Sequence, residues 1–471
     1  MQSEKHTLAE LSLSRQKSRA SSRVPLLLFA RGSALIVLFI FACYAWIWRN
    51  PAVFRLAIDS CSESFCDFAN YYYPMGGAIF RTSLPIEGFV YSPFIAILLA
   101  VFPQLGFDAS LILWGILQAA FIILYFLCFR WLVPANLPLQ LLFVALALSS
   151  FPILHNLAWG QVGIFTTVSI LGALVLYERG YRAAAAALLA IGISFKFFPL
   201  IFLAPFAIRR DFRFLFLTGG ACVIFLFVVP GVLLGFDDTL RFYDALLESY
   251  RNFGWAAGSY NSQNFAHVIV RLLKATGPGV QNYLQYLAEA AGQNITIYLP
   301  LLRWIGYAVM AVNLGLLFLI QRAQLHHANL WSFHILFLSI PFVYQTSWPV
   351  DLVYIPFAQA LLTWQLLEGE DAKSAGEDLS HKDAWRIWKS PRKVIAAIFL
   401  LISIVISNII FFNLYDDHLQ YGSYAFIFWA DLVLLAATYM ELLPAAMRDI
   451  RVKNQNKTLS TPTRSEASAS R

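Results

Sequence analysis

Asp67 is the residue whose surroundings best suit acid–base chemistry. It lies in a polar stretch, Cys61 to Pro74, that follows the first apolar segment of the chain. Aromatic residues follow within six positions: Phe68, Tyr71, Tyr72 and Tyr73. Such neighbours would shield a carboxylate from bulk water and raise its basicity, which suits a general base. The alternative is an ordinary solvated loop carboxylate, and Asp59 and Glu63 have less distinctive surroundings.

Lys196 is the second candidate. It stands between Phe195 and Phe197, at the expected outer end of an apolar segment. An ionisable residue in such a segment indicates a functional site, and a lysine there would suit a phosphate group. The alternative is that its side chain extends to the membrane interface without a ligand.

Other polar residues are expected on the same outer side of the membrane as Lys196. Gln161 follows Gly160 at the start of an apolar segment, and Asp351 follows Ser347-Trp348 between two others. A further polar cluster comprises Asn261, Gln263, Asn264 and Arg271. Amide side chains of this kind bind sugar hydroxyls, although loops are commonly polar.

Cys61 and Cys66 flank the candidate base, five positions apart. They could form a disulfide in an oxidising compartment, or they could be two free thiols. The sequence has no Asp-x-Asp motif, no glycine-rich phosphate loop and no His/Cys cluster with metal spacing. We therefore expect neither a metal nor a cofactor.

The composition is that of a membrane protein. Hydrophobic residues make up 59% of the 471 residues and charged residues 13%, whereas soluble domains carry about 25% charged residues. The net charge of +7 does not indicate a nucleic-acid partner, because the basic residues cluster in tails and short loops, as the positive-inside rule expects. We predict an all-α, polytopic protein in the cell membrane with both termini cytoplasmic.

Three regions are expected: a disordered cytoplasmic tail (1–31), a transmembrane domain (32–443) and a second disordered cytoplasmic tail (444–471). Roughly twelve spans fit a length of about 20 apolar residues per crossing, some of them short. They are placed near 32–48, 108–129, 138–156, 160–177, 183–196, 197–208, 212–235, 299–321, 329–346, 349–367, 392–414 and 421–443. Two outer loops result, 50–107 and 236–298, and the apolar run 94–102 is expected to lie in the outer interface.

Four stretches carry a family resemblance. They are Asp67-Phe68 with Tyr71-Tyr72 and Tyr91-Ser92-Pro93-Phe94; Gly160-Gln161-Val162; Gly192 through Lys196 to Pro199 and Arg209-Arg210; and Asn261-Ser262-Gln263-Asn264 with Arg271. In this order and spacing they resemble the integral-membrane glycosyltransferases of family 87, a branch of the GT-C superfamily. The resemblance covers most of residues 33–367.

The resemblance implies a GT-C helical bundle that transfers a hexose, usually mannose, from a polyprenyl-phosphate donor with inversion. The acceptor would be a glycolipid or glycan hydroxyl, and membrane lipids would surround the chain. It implies Asp67 as the base and Lys196, with Arg271, at the donor phosphate. The remaining candidates for substrate binding are Tyr71, Tyr72, Gln161, Asn261, Gln263, Asn264 and Asp351. One departure is that Pro349-Val350-Asp351 follows Ser347-Trp348, where the family often has a histidine.

Two other classes of protein stay open. A transporter or lipid flippase would show inverted repeats and polar residues near the membrane midplane. The sequence has no convincing internal repeat, and its distinctive polar residues concentrate in outer loops, which favours an enzyme. The altered motif after Trp348 also leaves room for a non-catalytic relative, against which the Asp67 loop argues.

Overall fold

The computed structural model describes residues 65–251, 259, 261–275, 295–368, 390–414 and 418–459. Within these ranges the regular elements are helices, and the one isolated bridge joins Ser150 to Asn408. The expectation of an all-α, polytopic fold is confirmed. The expected first span and the N-terminal tail lie outside the described residues.

The first half of the bundle runs from α1 to α10. After a π-helical turn at Phe68–Tyr72 come α1 (Tyr73–Thr82), α2 (Pro93–Leu99), α3 (Phe107–Leu132), α4 (Leu137–Ser149), α5 (Phe151–Trp159), α6 (Gly163–Glu178) and α7 (Arg182–Phe195). A 3₁₀ segment at Phe198–Leu203 leads into α8 (Ala204–Ile208). The helix α9 (Phe212–Val223) continues through a π-turn (Ile224–Val228) into α10 (Val229–Leu234).

The second half runs from α11 to α20. It contains α11 (Phe236–Arg251), α12 (Phe265–Ala275), α13 (Ile295–Ala323), α14 (Ala328–Leu338) and α15 (Ile340–Val343). A 3₁₀ turn at Pro349–Asp351 precedes α16 (Ile355–Glu368). The last helices are α17 (Pro391–Ile406), α18 (Ile409–Phe412), α19 (His418–Ser423) and α20 (Phe426–Leu459).

Among the described residues, fewer helices than the expected twelve are long enough to cross a membrane. In the described part of the chain four pass by length and composition: Phe107–Leu132, Phe212–Leu234, Leu299–Ala323 and Tyr421–Gln455. A fifth would be α5 with α6, which are bent by 118° at their junction. Six shorter apolar helices accompany them, so the count of twelve stays a prediction.

The expected span at 138–156 is not a single helix, because the chain breaks at Ser150. That residue is extended (ψ 125°), and the N–H of Phe151 donates to the carbonyl of Ser407 at 2.9 Å. Pro152 has no N–H group and fits the first turn of a new helix. The expected span 197–208 is likewise a 3₁₀ segment followed by a five-residue helix.

The C-terminal tail was expected to be disordered from residue 444, but residues 444–459 are helical. Helix α20 continues through Pro444 to Leu459. Lys453 Nζ donates to the carbonyl of Ala323 at 2.7 Å and to Gln324 Oε1 at 2.9 Å. These hydrogen bonds hold the helix extension against the end of α13, which explains why a polar sequence is ordered there.

The two largest apolar clusters among the described residues organise the bundle. The larger one joins α3 to α8 with α13, α14, α16, α17 and α20. The smaller one lies beneath the segment 68–102 and includes Phe68, which stacks on Trp114 with ring centroids 4.8 Å apart. The smaller cluster therefore fixes the residues around Asp67 against the start of α3.

Replacing Gly163 with alanine is expected to destabilise the fold. A Cβ atom there would lie 1.8 Å from the carbonyl oxygen of Val350 and 2.8 Å from Asn156 Oδ1. Overpacking of this kind typically costs about 1–3 kcal/mol, so Gly163→Ala should lower the melting temperature of the purified protein in detergent. A Cβ at Gly219 would meet nothing within 4 Å, and Gly219→Ala is the control. Equal melting temperatures for the two variants would contradict the close packing of α6 on the turn at Pro349–Asp351.

Candidate functional site

Asp67 is buried at the start of the π-helical turn that precedes α1. Its exposed fraction is 6%, and the side-chain amide of Gln161 donates a hydrogen bond to its Oδ2 atom. Burial raises the pKa of the carboxyl group to about 7, and the positive charge of Lys196 opposes this rise. The group can therefore take up and release a proton near neutral pH, as a general base must.

The turn that presents Gln161 depends on a glycine. Gly160 adopts a left-handed conformation with φ 64°, which ends α5 and allows α6 to leave in another direction. A Cβ atom at Gly160 would lie 2.7 Å from the Cβ atom of Phe65. Glycine is favoured there for both reasons.

Three polar side chains hold the same turn from the bundle side. Trp114 Nε1 donates to the carbonyl of Gly160 at 2.9 Å, and Gln118 Nε2 donates to the carbonyl of Gln161 at 2.8 Å. Asn156 Nδ2 donates to Gln118 Oε1 at 3.3 Å. Because the backbone of Gln161 is fixed, its amide can be directed at Asp67.

Two buried tyrosines complete the surroundings of Gln161. The Oη atoms of Tyr72 and Tyr91 are 2.7 Å apart, and both lie within reach of Gln161 Oε1, at 2.9 Å and 3.2 Å. Burial raises the pKa of both phenols well above the usual range. They stay neutral, and since each phenol has one hydrogen, one phenol donates to the other and the second donates to Gln161 Oε1. The NH₂ group of Gln161 then faces Asp67.

Lys196 forms a buried ion pair with Asp351. The lysine follows the end of α7, and its Nζ atom contacts Asp351 Oδ1. The other carboxylate oxygen accepts from the backbone N–H of Trp348 at 3.1 Å. The side chains of Lys196 and Asp351 are 9% and 1% exposed, so the lysine does not extend to the membrane interface. Its ammonium group, which was expected to bind a phosphate, is paired with the Asp351 carboxylate.

The polar residues before and within α12 form hydrogen bonds mainly to backbone groups. Asn264 Nδ2 donates to the carbonyls of Pro341 and Tyr344 at 3.2 Å and 3.1 Å. Gln263 Oε1 accepts from the N–H of Phe428 at 3.1 Å. Arg271 donates to the carbonyls of Ser259 and Ser262 at 2.6 Å and 2.7 Å. These side chains fasten the loop to the bundle, and the predicted substrate contacts of Arg271, Asn261, Gln263 and Asn264 stay predictions.

Tyr71 lies beside Asp67 without a direct hydrogen bond to it. Its pKa is raised by partial burial and by the negative charges of Asp67 and Glu87. Cys66 is disulfide-bonded, whereas Cys128 and Cys222 are free thiols. Cys61 lies outside the described residues, so its pairing with Cys66 stays a prediction.

The structure thus brings together Asp67, Gln161 and Tyr72, with Lys196 and Asp351 close enough to affect them electrostatically. Sequence reasoning missed Gln118 and Asn156 as supports, although a polar residue within an apolar helix is a recognisable signal. The described ranges contain no group of three His, Cys, Asp or Glu side chains able to hold a metal ion.

A family model, Glycosyltransferase family 87, matches residues 89–344, which is more than half of the chain. No curated protein and no solved structure matches the chain significantly.

Removing one partner of the buried Lys196–Asp351 pair should destabilise the fold far more than removing one partner of an exposed ion pair. Asp351→Asn leaves the Lys196 cation buried without its counter-ion, which typically costs about 3–5 kcal/mol. The control is Asp238→Asn, because Asp238 pairs with Arg241 at 2.7 Å on the surface and such pairs contribute about 0–1 kcal/mol.

The measurement is thermal unfolding of the purified variants in detergent. The double variant Lys196→Met/Asp351→Leu should recover part of the loss, because no charge stays buried. If Asp351→Asn unfolded at the wild-type temperature, the pair would not be a buried structural interaction.

Proposed function

The chain belongs to glycosyltransferase family 87 and is a membrane glycosyltransferase, and from this premise we propose that it transfers mannose from a polyprenyl-phosphate donor to a hydroxyl group of a lipid or glycan acceptor. The observation that carries the proposal is the buried carboxyl group of Asp67, with a pKa of about 7 and an amide donor directed at it. The nearby cation of Lys196 supports a phosphate leaving group.

In the proposed reaction, Asp67 takes the proton of the acceptor hydroxyl. The hydroxyl oxygen forms a bond to the anomeric carbon as the bond from that carbon to the phosphate oxygen breaks. The configuration at the anomeric carbon inverts, and the bonding electrons leave with polyprenyl phosphate. Lys196 stabilises the charge that develops on this leaving group.

Lys196 has two alternative partners in this mechanism. In the absence of donor, Lys196 pairs with Asp351. This ion pair stabilises the buried positive charge of the lysine. We propose that the donor phosphate displaces Asp351 from the lysine, while the N–H of Trp348 continues to hold the carboxylate. The exchange replaces one anion by another at the lysine, which keeps a counter-ion, while the buried Asp351 carboxylate retains the hydrogen bond from Trp348.

The orientation in the membrane follows from charge. We propose that the site lies on the outer side and both termini lie in the cytoplasm. Helix α6 runs from the site to a turn that carries Arg179 and Arg182, and α8 ends at a turn with Arg209 and Arg210. The positive-inside rule assigns such arginine-rich turns to the cytoplasmic side.

Asp67→Asn should lower the rate of mannose transfer by about 10²–10⁴-fold, the usual contribution of a general base. Asparagine has the same shape and its oxygen can still accept from Gln161, so the fold should be kept. The assay is transfer from radiolabelled polyprenyl-phosphate mannose to a lipid extract, with purified protein in detergent. The matched control is Asp108→Asn, at an exposed aspartate in the first turn of α3. Equal activity in Asp67→Asn and wild type would remove Asp67 from the mechanism.

The activity should also depend on pH through Asp67. The base must be ionised, and its pKa lies at about 7 rather than at the ordinary 3.8. Below pH 7, kcat/KM should therefore fall about tenfold per pH unit and level off above it. A decline that starts near pH 4, or a residual activity of Asp67→Asn that keeps the same decline near 7, would exclude Asp67 as the titrating group.

A further inference from the structure

A cavity lies at the end of the bundle opposite to Asp67. It measures about 790 Å³ and is bordered by the turn after α6 and the turn before α9. The sixteen residues of α6 separate it from the Gln161 turn by roughly 24 Å at 1.5 Å per residue. The cavity is therefore distinct from the proposed transfer site, and its volume is typical of a ligand pocket.

Three arginines contribute to the polar lining of this cavity: Arg182, Arg209 and Arg213. Arg209 is held in place because its Nη1 atom donates to Asn329 Oδ1 at 2.8 Å. Arg182 lies 3.8 Å from Asp211 through one nitrogen and is 45% exposed, so other N–H groups of its guanidinium can reach a ligand. Arg213 is exposed in the first turn of α9.

The carboxylates at the cavity are already engaged. Asp211 accepts from Tyr177 Oη at 2.6 Å and from the N–H of Phe214 at 3.2 Å, where it caps α9. Glu178 Oε1 accepts from Asn329 Nδ2 at 2.5 Å. The arginines thus face the cavity with donors to spare, which favours an anion with several acceptor oxygens, such as a phosphate.

The cavity continues into a face of α9 suited to acyl chains. Leu217, one turn after Arg213, lines the cavity, and a Cβ atom at Gly220 would meet nothing within 4 Å. Phe216 and Ile224 are 79% and 49% exposed, and Phe212–Leu234 is long and apolar enough to span the membrane. A ligand with its anionic group at the arginines could lay its apolar part along this helix in the bilayer.

We propose that this cavity binds an anionic phospholipid, with the headgroup phosphate at Arg182 and Arg213 and an acyl chain along α9. The apolar face next to the arginines favours a lipid over a soluble phosphate. The site does not depend on the proposed donor or acceptor, because it lies a helix length away from Asp67.

The test is native mass spectrometry of the full-length protein released from detergent. The probes are phosphatidylglycerol and phosphatidylcholine with identical acyl chains. Wild type should bind phosphatidylglycerol preferentially. Arg182→Gln/Arg213→Gln should bind it about 30-fold more weakly, as expected for two arginines near an anionic headgroup. The matched control is Arg81→Gln/Arg241→Gln, which removes two exposed arginines outside the cavity and should keep the wild-type affinity.

A charge-retaining variant and a soluble competitor complete the test. Arg182→Lys/Arg213→Lys should keep the preference for phosphatidylglycerol, which separates loss of charge from a loss of folding. Inorganic phosphate should leave the bound lipid in place. Equal binding of the two lipids, wild-type affinity in the glutamine variant, or displacement of the lipid by inorganic phosphate would each overturn the proposal.

Discussion

The site depends on one constraint, which is that the carboxyl group of Asp67 is removed from water. Transfer of an ionised carboxylate into apolar surroundings is strongly unfavourable unless hydrogen bonds or charges compensate it. Burial raises the pKa, while the amide of Gln161 and the charge of Lys196 favour the ionised form. The balance lies near neutral pH, where a solvated loop aspartate would be fully ionised and a weaker base.

The rest of the site maintains this balance. The turn at Gly160 and the polar side chains of Gln118 and Asn156 direct Gln161 towards the carboxyl group. The ion pair of Lys196 with Asp351 keeps a positive charge nearby without leaving it uncompensated. These residues come from α3, α5, the α7 end and the turn before α16, so the site exists only when the bundle is assembled.

Part of this arrangement could be predicted from the sequence. The aromatic residues after Asp67 indicate a shielded carboxylate, and the composition indicates an all-helical membrane protein. The pairing of Lys196 with Asp351 joins positions 155 apart, and no local pattern encodes it. The break at Ser150 is similar, because it depends on the segment of Ser407 and Asn408. The roles of Asn264 and Arg271 cannot be separated in the same way, because composition does not distinguish side chains that bind a ligand from side chains that bind backbone carbonyls.

The proposed role of Lys196 can be tested by a cryo-EM structure of the wild-type protein with polyprenyl phosphate bound. If this role is correct, Lys196 Nζ leaves Asp351 and lies within hydrogen-bond distance of a phosphate oxygen, at about 2.7–2.9 Å. Asp351 should still accept from the N–H of Trp348, and the phosphate should lie beside the Asp67 carboxyl group. A phosphate bound elsewhere, with the Lys196–Asp351 pair intact, would contradict it.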